Sequence, residues 1–119
     1  MNFRVIKKII CFDLDNVLCT TKNSDYKNSK PIKKNIKIVN QLYLSGYYIK
    51  IFTARYMGRY KENTKLVNKN ILLTKKYLKK FNIKYHKLIM GKPSYDMFID
   101  DKALFYKKNW SNYLKKKLL

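Results

Sequence analysis

Two carboxylates follow a short apolar segment near the beginning of the sequence. The segment IICFDLDNVL, positions 9 to 18, places Asp13 directly after four apolar residues and Asp15 two positions later. A short unbroken apolar run indicates a strand buried on both faces of a parallel sheet. Ligands bind at the carboxyl ends of such strands. The two aspartates therefore predict a functional site where the first strand ends.

A second acidic pair and two other polar residues stand at comparable positions. Asp100 and Asp101 end the apolar run MFIDD, so two predicted strand ends hold four of the seven acidic residues. Thr53 follows the run YYIKIF, and Lys92 follows KLIM and Gly91. Carboxylates that lie close together repel one another, and a hard cation such as Mg²⁺ prefers oxygen ligands. The acidic clustering therefore predicts a bound cation.

The predicted elements that would position these residues alternate between strands and helices. After the first strand comes a polar segment, residues 20–31, which we call the flap. Further strands are predicted at 47–52, 87–90 and 96–100, and helices at 31–46, at 62–81 and from about 102 onward. This βαβ order predicts an α/β fold with a parallel sheet and helices on both faces, in a three-layer α/β/α, Rossmann-like arrangement. We predict a single domain over residues 1–119.

The composition is strongly basic. There are 28 Lys and Arg against seven Asp and Glu, which gives a formal net charge of +21. The lysines are spread along the chain, which favours a biased genome over a nucleic-acid site, yet we expect non-specific binding of polyanions at low salt. No segment has the apolar length of a membrane span, and the two cysteines suggest no disulfide framework, so we expect a cytoplasmic protein without a membrane partner.

Taken together, the four motifs resemble those of the haloacid dehalogenase (HAD) superfamily of phosphatases. The order is D-x-D at Asp13 and Asp15, then Thr53, then Lys92, then the acidic pair. The segments IFTARYMGRY and GKPSYDMFIDDKAL further resemble small phosphatases of bacterial capsule and surface-polysaccharide biosynthesis. The resemblance implies a HAD-like fold. The short spacing between motifs implies that no cap domain is inserted.

The resemblance also implies a mechanism with Mg²⁺ as cofactor. Asp13 would attack phosphorus to form an aspartyl-phosphate, and Asp15 would protonate the leaving alcohol and then activate water. Thr53 and Lys92 would complete the catalytic set by binding and neutralising the phosphoryl group. The predicted metal site contains Asp13, Asp15 (through its backbone carbonyl), Asp100 and Asp101. We favour Asp101 as the direct ligand, although the reverse assignment of the pair is open.

The loop after Thr53 is predicted to select the substrate. It contains Arg55 and Arg59, two of the three arginines in the chain, and Arg binds phosphates and vicinal oxygens bidentately. The predicted substrate-binding residues are Thr53, Ala54, Arg55, Arg59 and Lys92. The alternative for the two arginines is a pairing with solvent or with a helix end.

Of three functions considered, the sequence favours the first. The first is a phosphomonoesterase for a small phosphorylated metabolite, such as a sugar or polyol phosphate. The second is a phosphatase for nucleic-acid ends, and the third is a non-catalytic binding domain on a HAD-like scaffold. An oligomer is possible in each case.

Overall fold

A parallel three-stranded sheet lies at the centre of the computed structural model, which describes residues 8–104 and 106–119. The sheet has the strand order β1-β4-β5, with all strands parallel. The strands are β1 (Ile9–Phe12), β2 (Cys19–Thr20), β3 (Lys30–Pro31), β4 (Tyr48–Thr53) and β5 (Lys87–Met90). The helices are α1 (Lys33–Leu44), α2 (Thr64–Lys69), α3 (Ile71–Lys80) and α4 (Trp110–Leu118). The short strands β2 and β3 pair antiparallel at the two ends of the flap.

Helices flank the sheet and bury its apolar side chains. Helix α1 contacts β4 and α4, whereas α2 contacts β5. Ile36, Val39 and Leu42 repeat at helical spacing along α1 and are buried, so this amphipathic face packs into the core. Trp110, at the beginning of α4, packs against Phe12 of β1 with ring centroids 5.6 Å apart. The predicted α/β fold with a parallel sheet is confirmed.

The register of the sheet brings the predicted site strands together. Phe12 lies beside Ile51, and Thr53 lies beside Met90. The carboxyl ends of β1, β4 and β5 therefore meet at one edge, with Asp13, Thr53 and Lys92 at or just after the three ends.

The predicted fourth strand, residues 96–100, is wrong. This segment forms no strand, and Met97 and Ile99 are 78% and 88% exposed. Among the described residues, β1 pairs with β4 alone, so no strand covers its other edge. The physical reason is that a short apolar run has only a weak strand preference of its own, since pairing with a neighbour determines the outcome.

Two helix predictions also require correction. The helix predicted over 62–81 is divided at Asn70, whose backbone is not helical and whose side-chain Nδ2 donates to the Leu66 carbonyl at 3.0 Å. Asn competes in this way with helical hydrogen bonds. The last helix begins at Trp110 rather than near Lys102. The residues before Ile9 are predicted to lead into the first strand, and residues 1–7 among them lie outside the described residues.

A search for membrane-spanning helices was negative. Within residues 8–104 and 106–119, no helix combines the length and the apolar character required to cross a bilayer.

Candidate active site

Asp13 and Lys92 form an ion pair at the carboxyl edge of the sheet. Lys92 Nζ lies 3.5 Å from Asp13 Oδ2, and the Asp13 side chain is 36% exposed. Burial raises the pKa of Asp13, and the opposing effects of Lys92 and of the Leu14 N–H, which donates to Oδ1 at 2.8 Å, only partly offset it. The structure therefore provides a carboxylate that is reachable from solvent and has an ammonium group beside it.

Backbone contacts hold Lys92 in this position. Its N–H donates to the Thr53 carbonyl at 3.1 Å, directly after β5, and Gly91 precedes it with a φ of 92°. The Lys92 ammonium also lies 5.5 Å and 5.4 Å from the ring centroids of Tyr95 and Phe98. Burial alone would lower the Lys92 pKa, but contacts with Tyr95 and Asp13 outweigh burial and raise it. The lysine therefore stays charged beside Asp13.

Asp15 lies in a different environment, because Arg55 binds both of its oxygens. Arg55 Nε donates to Oδ1 and Oδ2 at 3.2 and 3.1 Å, and Nη2 donates to Oδ1 at 2.9 Å. The Arg55 side chain is 2% exposed, whereas that of Asp15 is 21% exposed. Arg55 is expected to contact the substrate, but in the structure its side chain points inward, toward Asp15. A direct contact with substrate would require this ion pair to open and stays a prediction.

The other residues of the predicted substrate loop have distinct surroundings. Thr53 is fully buried, and its Oγ1 accepts the Arg55 N–H at 3.1 Å. Ala54 is partly buried, and its carbonyl accepts from Met57 N–H. Arg59 is exposed, with its guanidinium 5.1 Å from the Tyr56 ring centroid. Of these three residues, Arg59 alone is an exposed cation, and the substrate roles of all three stay predictions.

In the structure, the predicted metal ligands do not converge on one position. Within residues 8–104 and 106–119, no group of three or more His, Cys, Asp or Glu side chains could hold a metal ion. Asp100 and Asp101 are exposed, and Asp100 Oδ1 accepts the backbone N–H of Lys102 at 2.8 Å. Arg55 engages both side-chain oxygens of Asp15, whereas the predicted ligand from this residue is its backbone carbonyl. This arrangement does not fit a Mg²⁺ site, and the Mg²⁺ assignment stays a prediction.

Sequence reasoning missed a group of polar and aromatic residues around Asp15 and Arg55. Thr21 donates to Asp15 Oδ1, and Arg55 Nη2 donates to Ser29 Oγ at 3.3 Å. The rings of Tyr26 and Tyr77 lie 4.9 and 4.4 Å from the Arg55 guanidinium carbon. The turn-rich flap and the tyrosine-rich composition do not distinguish these residues from their neighbours, so the sequence contained no signal that could have found them.

Comparison with solved structures identifies chains of the same fold. The crystal structure of an MCSG target from Vibrio cholerae aligns with a TM-score of 0.75 and 28% identity, over 92% of this chain and 98% of that chain. A chain in the structure of the Pnkp1/Rnl/Hen1 complex aligns with a TM-score of 0.54 and 19% identity. That alignment covers 99% of this chain and 36% of the other, so this chain spans about a third of that chain's length.

Comparison with families and curated proteins gave no match. Neither a protein-family model nor a curated protein matches the chain. The comparisons therefore support a shared α/β fold with the two structures above.

Proposed function

We propose that this chain is a HAD-type phosphatase that hydrolyses phosphate monoesters through an aspartyl-phosphate on Asp13. The observation that carries the proposal is the Asp13 carboxylate, reachable from solvent at the carboxyl end of β1, with Lys92 Nζ at 3.5 Å. A carboxylate can attack phosphorus, and a fixed ammonium beside it can stabilise the negative charge of the transferring group.

The proposed reaction has two steps. In the first, an Asp13 oxygen bonds to phosphorus, the phosphorus–oxygen bond to the alcohol breaks, and Asp15, which enters this step protonated, gives its proton to the departing oxygen. In the second, Asp15 takes a proton from water, whose oxygen attacks phosphorus and releases phosphate from Asp13. One group can serve both steps because the second step reverses its proton transfer. Lys92 offsets charge in both steps.

We also propose that activity depends on Mg²⁺, and this dependence has to be measured. The described carboxylates do not converge on a metal position, so no step above is assigned to the ion. The prediction rests on the D-x-D motif and the acidic pair, and activity with and without Mg²⁺ tests it.

The proposed substrate is a small sugar or polyol phosphate. This choice rests on the segments IFTARYMGRY and GKPSYDMFIDDKAL and their resemblance to phosphatases of surface-polysaccharide biosynthesis. The exposed guanidinium of Arg59 is available at the loop after β4 for the hydroxyl groups or charges of such a compound.

A second candidate substrate is the phosphorylated end of a nucleic acid. It is favoured by an exposed aromatic pair beside Lys92: the rings of Tyr95 and Phe98 stack with centroids 4.9 Å apart. Exposed aromatic rings near cations can stack on bases, and the net charge of +21 would attract a polyanion. The fold likeness to a chain of the Pnkp1/Rnl/Hen1 complex is compatible with this alternative.

A phosphate-release screen tests the proposed function and separates the two substrate classes. The panel contains sugar phosphates, polyol phosphates, nucleotides and 3′-phosphorylated oligonucleotides, each with Mg²⁺ and with a chelator. We expect release from sugar or polyol phosphates, and a loss on the order of 10⁴-fold or more in Asp13→Asn, as for removal of a nucleophile. Preference for the oligonucleotide would select the second candidate, and activity retained in Asp13→Asn would refute the covalent mechanism. Release from no compound would favour a non-catalytic binding domain.

A further inference from the structure

Arg55 is buried although it is always charged. Its side chain is 2% exposed, and the Tyr26 and Tyr77 rings lie within 5 Å of the guanidinium carbon. Burial alone would lower the Arg55 pKa, but Asp15 outweighs burial and raises it. A buried charge is tolerated when a well-oriented partner and additional hydrogen bonds satisfy it. The partner here is the residue predicted to transfer the proton.

The hydrogen bonds at Asp15 are distributed unevenly between its two oxygens. Oδ1 accepts from Arg55 Nε, Arg55 Nη2, Thr21 Oγ1 and Cys19 Sγ. Among the described residues, Oδ2 accepts from Arg55 Nε alone, at 3.1 Å. Because Oδ1 is saturated, Oδ2 is the oxygen that can exchange a proton with a leaving group.

The same cluster fixes the flap. Thr21 has one hydroxyl hydrogen, which it donates to Asp15, so in the 2.6 Å contact between Thr21 Oγ1 and Ser29 Oγ it is Ser29 that donates. Ser29 Oγ accepts from Arg55 Nη2 at 3.3 Å, and the Ser29 carbonyl accepts from Tyr77 at 3.1 Å. Both ends of the flap are thus attached to this ion pair, Thr21 to Asp15 and Ser29 to Arg55.

We propose that Arg55 is a positioning residue: it holds Asp15 in one orientation with Oδ2 as the less engaged oxygen for proton transfer, it anchors the flap through Ser29, and it does not contact the substrate. This inference rests on the proposed function, in which Asp15 is the acid. The alternative is the role predicted from the sequence, in which Arg55 contacts the leaving group directly.

A leaving-group comparison combined with a double variant separates these roles. The variants are Arg55→Met, Asp15→Asn and both together, and the substrates are an alkyl phosphate and 4-nitrophenyl phosphate. If Arg55 acts through Asp15, Arg55→Met lowers kcat on the alkyl ester by roughly tenfold to several hundredfold with little change in KM. In the first step, followed as the burst of 4-nitrophenol release, the aryl ester reacts nearly as before because its leaving group needs no proton, whereas the second step is common to both esters. In the Asp15→Asn background, Arg55→Met causes no further loss.

Other results overturn the inference. Equal losses from Arg55→Met with and without Asp15 would mean that Arg55 acts on the substrate or on the fold, since independent effects add. An increase in KM with unchanged kcat would indicate a substrate contact. Thr21→Val provides a milder variant in case Arg55→Met fails to fold, because it removes one hydrogen bond from the same carboxylate. The same dependence of the first step on the leaving group is expected, with a smaller loss, and an equal loss in that step on both esters would count against the inference.

A measurement without substrate distinguishes failure of this inference from failure of the proposed function. Hydrogen exchange of the flap amides should accelerate in Arg55→Met, whereas that of α1 amides should not. Lys65→Ala, an exposed cation on α2, is the matched control and should leave the flap unchanged. If the wild-type chain hydrolyses neither ester, the proposed function fails, but unchanged flap exchange in Arg55→Met would separately refute the role of Arg55 at the flap.

Discussion

At the scale of single residues, two aspartates separated by one position have different electrostatic partners. Asp13 lies beside a primary ammonium that contacts one of its oxygens, whereas a planar guanidinium binds both oxygens of Asp15. Asp13 can therefore approach phosphorus with little rearrangement, while Asp15 is held in one orientation. This difference agrees with a nucleophile and a proton donor as separate roles.

The pH dependence of activity should reflect the pKa of Asp13. Burial raises this pKa, and Asp13 must be ionised to act as the proposed nucleophile, so kcat/KM should fall on acidification at a pH above the ordinary aspartate range. The raised pKa of Lys92 should in turn keep the lysine charged to a more alkaline pH than usual. A pH profile of kcat/KM with a 4-nitrophenyl ester measures both limits. An acidic limb at the ordinary aspartate pKa would contradict the first expectation.

The raised pKa of Asp13 should also make the stability of the fold depend on pH. Because the pKa of Asp13 is higher in the folded than in the unfolded state, the folded protein binds more protons between the two values, and its stability falls as pH rises through them. Asp13→Asn removes this effect. The variant should therefore be more stable than wild type at neutral pH, and this advantage should shrink below the ordinary aspartate pKa.

Denaturant unfolding at neutral and acidic pH measures this difference. Asp96→Asn, at an exposed aspartate, is the control for loss of one negative charge. A pH-independent difference between Asp13→Asn and wild type would contradict the linkage.

The sequence predicted which strand ends lie together, but not the contacts that Arg55 makes there. The carboxyl ends of the strands place Asp13, Thr53 and Lys92 together, since chain order and strand periodicity determine that arrangement. The inward turn of Arg55 depends on Tyr26 and Tyr77, which are 29 and 22 positions away in sequence, and periodicity contains no information about such contacts.

At the scale of elements, the turn between β5 and Lys92 depends on Gly91. Its φ is 92°, a conformation that side chains with a Cβ rarely adopt, although the nearest atom to an added Cβ is Thr64 Cγ2 at 4.0 Å. Gly91→Ala should therefore lower the free energy of unfolding by about 1 kcal/mol or more through backbone strain rather than collision.

Gly58→Ala is the matched control for this prediction. Gly58 has open space around its Cβ position and no positive φ, so its replacement should change stability by less than about 0.5 kcal/mol. Equal losses in the two variants, measured by chemical denaturation, would show that the backbone conformation at Gly91 is not the cause.

Prediction of the elements succeeded where packing and propensity agreed. The third strand was predicted at residues 87–90 and is found there, and α1 lies within its predicted range. The strand prediction for residues 96–100 failed because a strand forms there only if the segment pairs with the outer edge of β1. The local sequence does not determine that pairing. The division at Asn70 depends on one side-chain hydrogen bond, and helical periodicity continues through it.

At the scale of the whole molecule, the net charge of +21 should produce non-specific binding to nucleic acids. For single strands, the logarithm of affinity should fall with the logarithm of salt concentration by about 0.7 per phosphate contacted. Filter binding of oligonucleotides of different sequence, with and without a 3′-phosphate, measures the slope. Affinity for one sequence or end that persists at physiological salt would favour the nucleic-acid candidate over the small metabolite.

The contact between Trp110 and Phe12 has a spectroscopic consequence. Trp110 is the single tryptophan of the chain, it is buried at the beginning of α4, and its ring lies 5.6 Å from that of Phe12, which immediately precedes Asp13. Indole emission shifts to longer wavelength when water reaches the ring. The intrinsic fluorescence of this protein will therefore report the packing of its last helix against β1, the strand that precedes Asp13. A helix that detaches while the sheet persists would appear as a red shift that precedes the loss of strand circular dichroism.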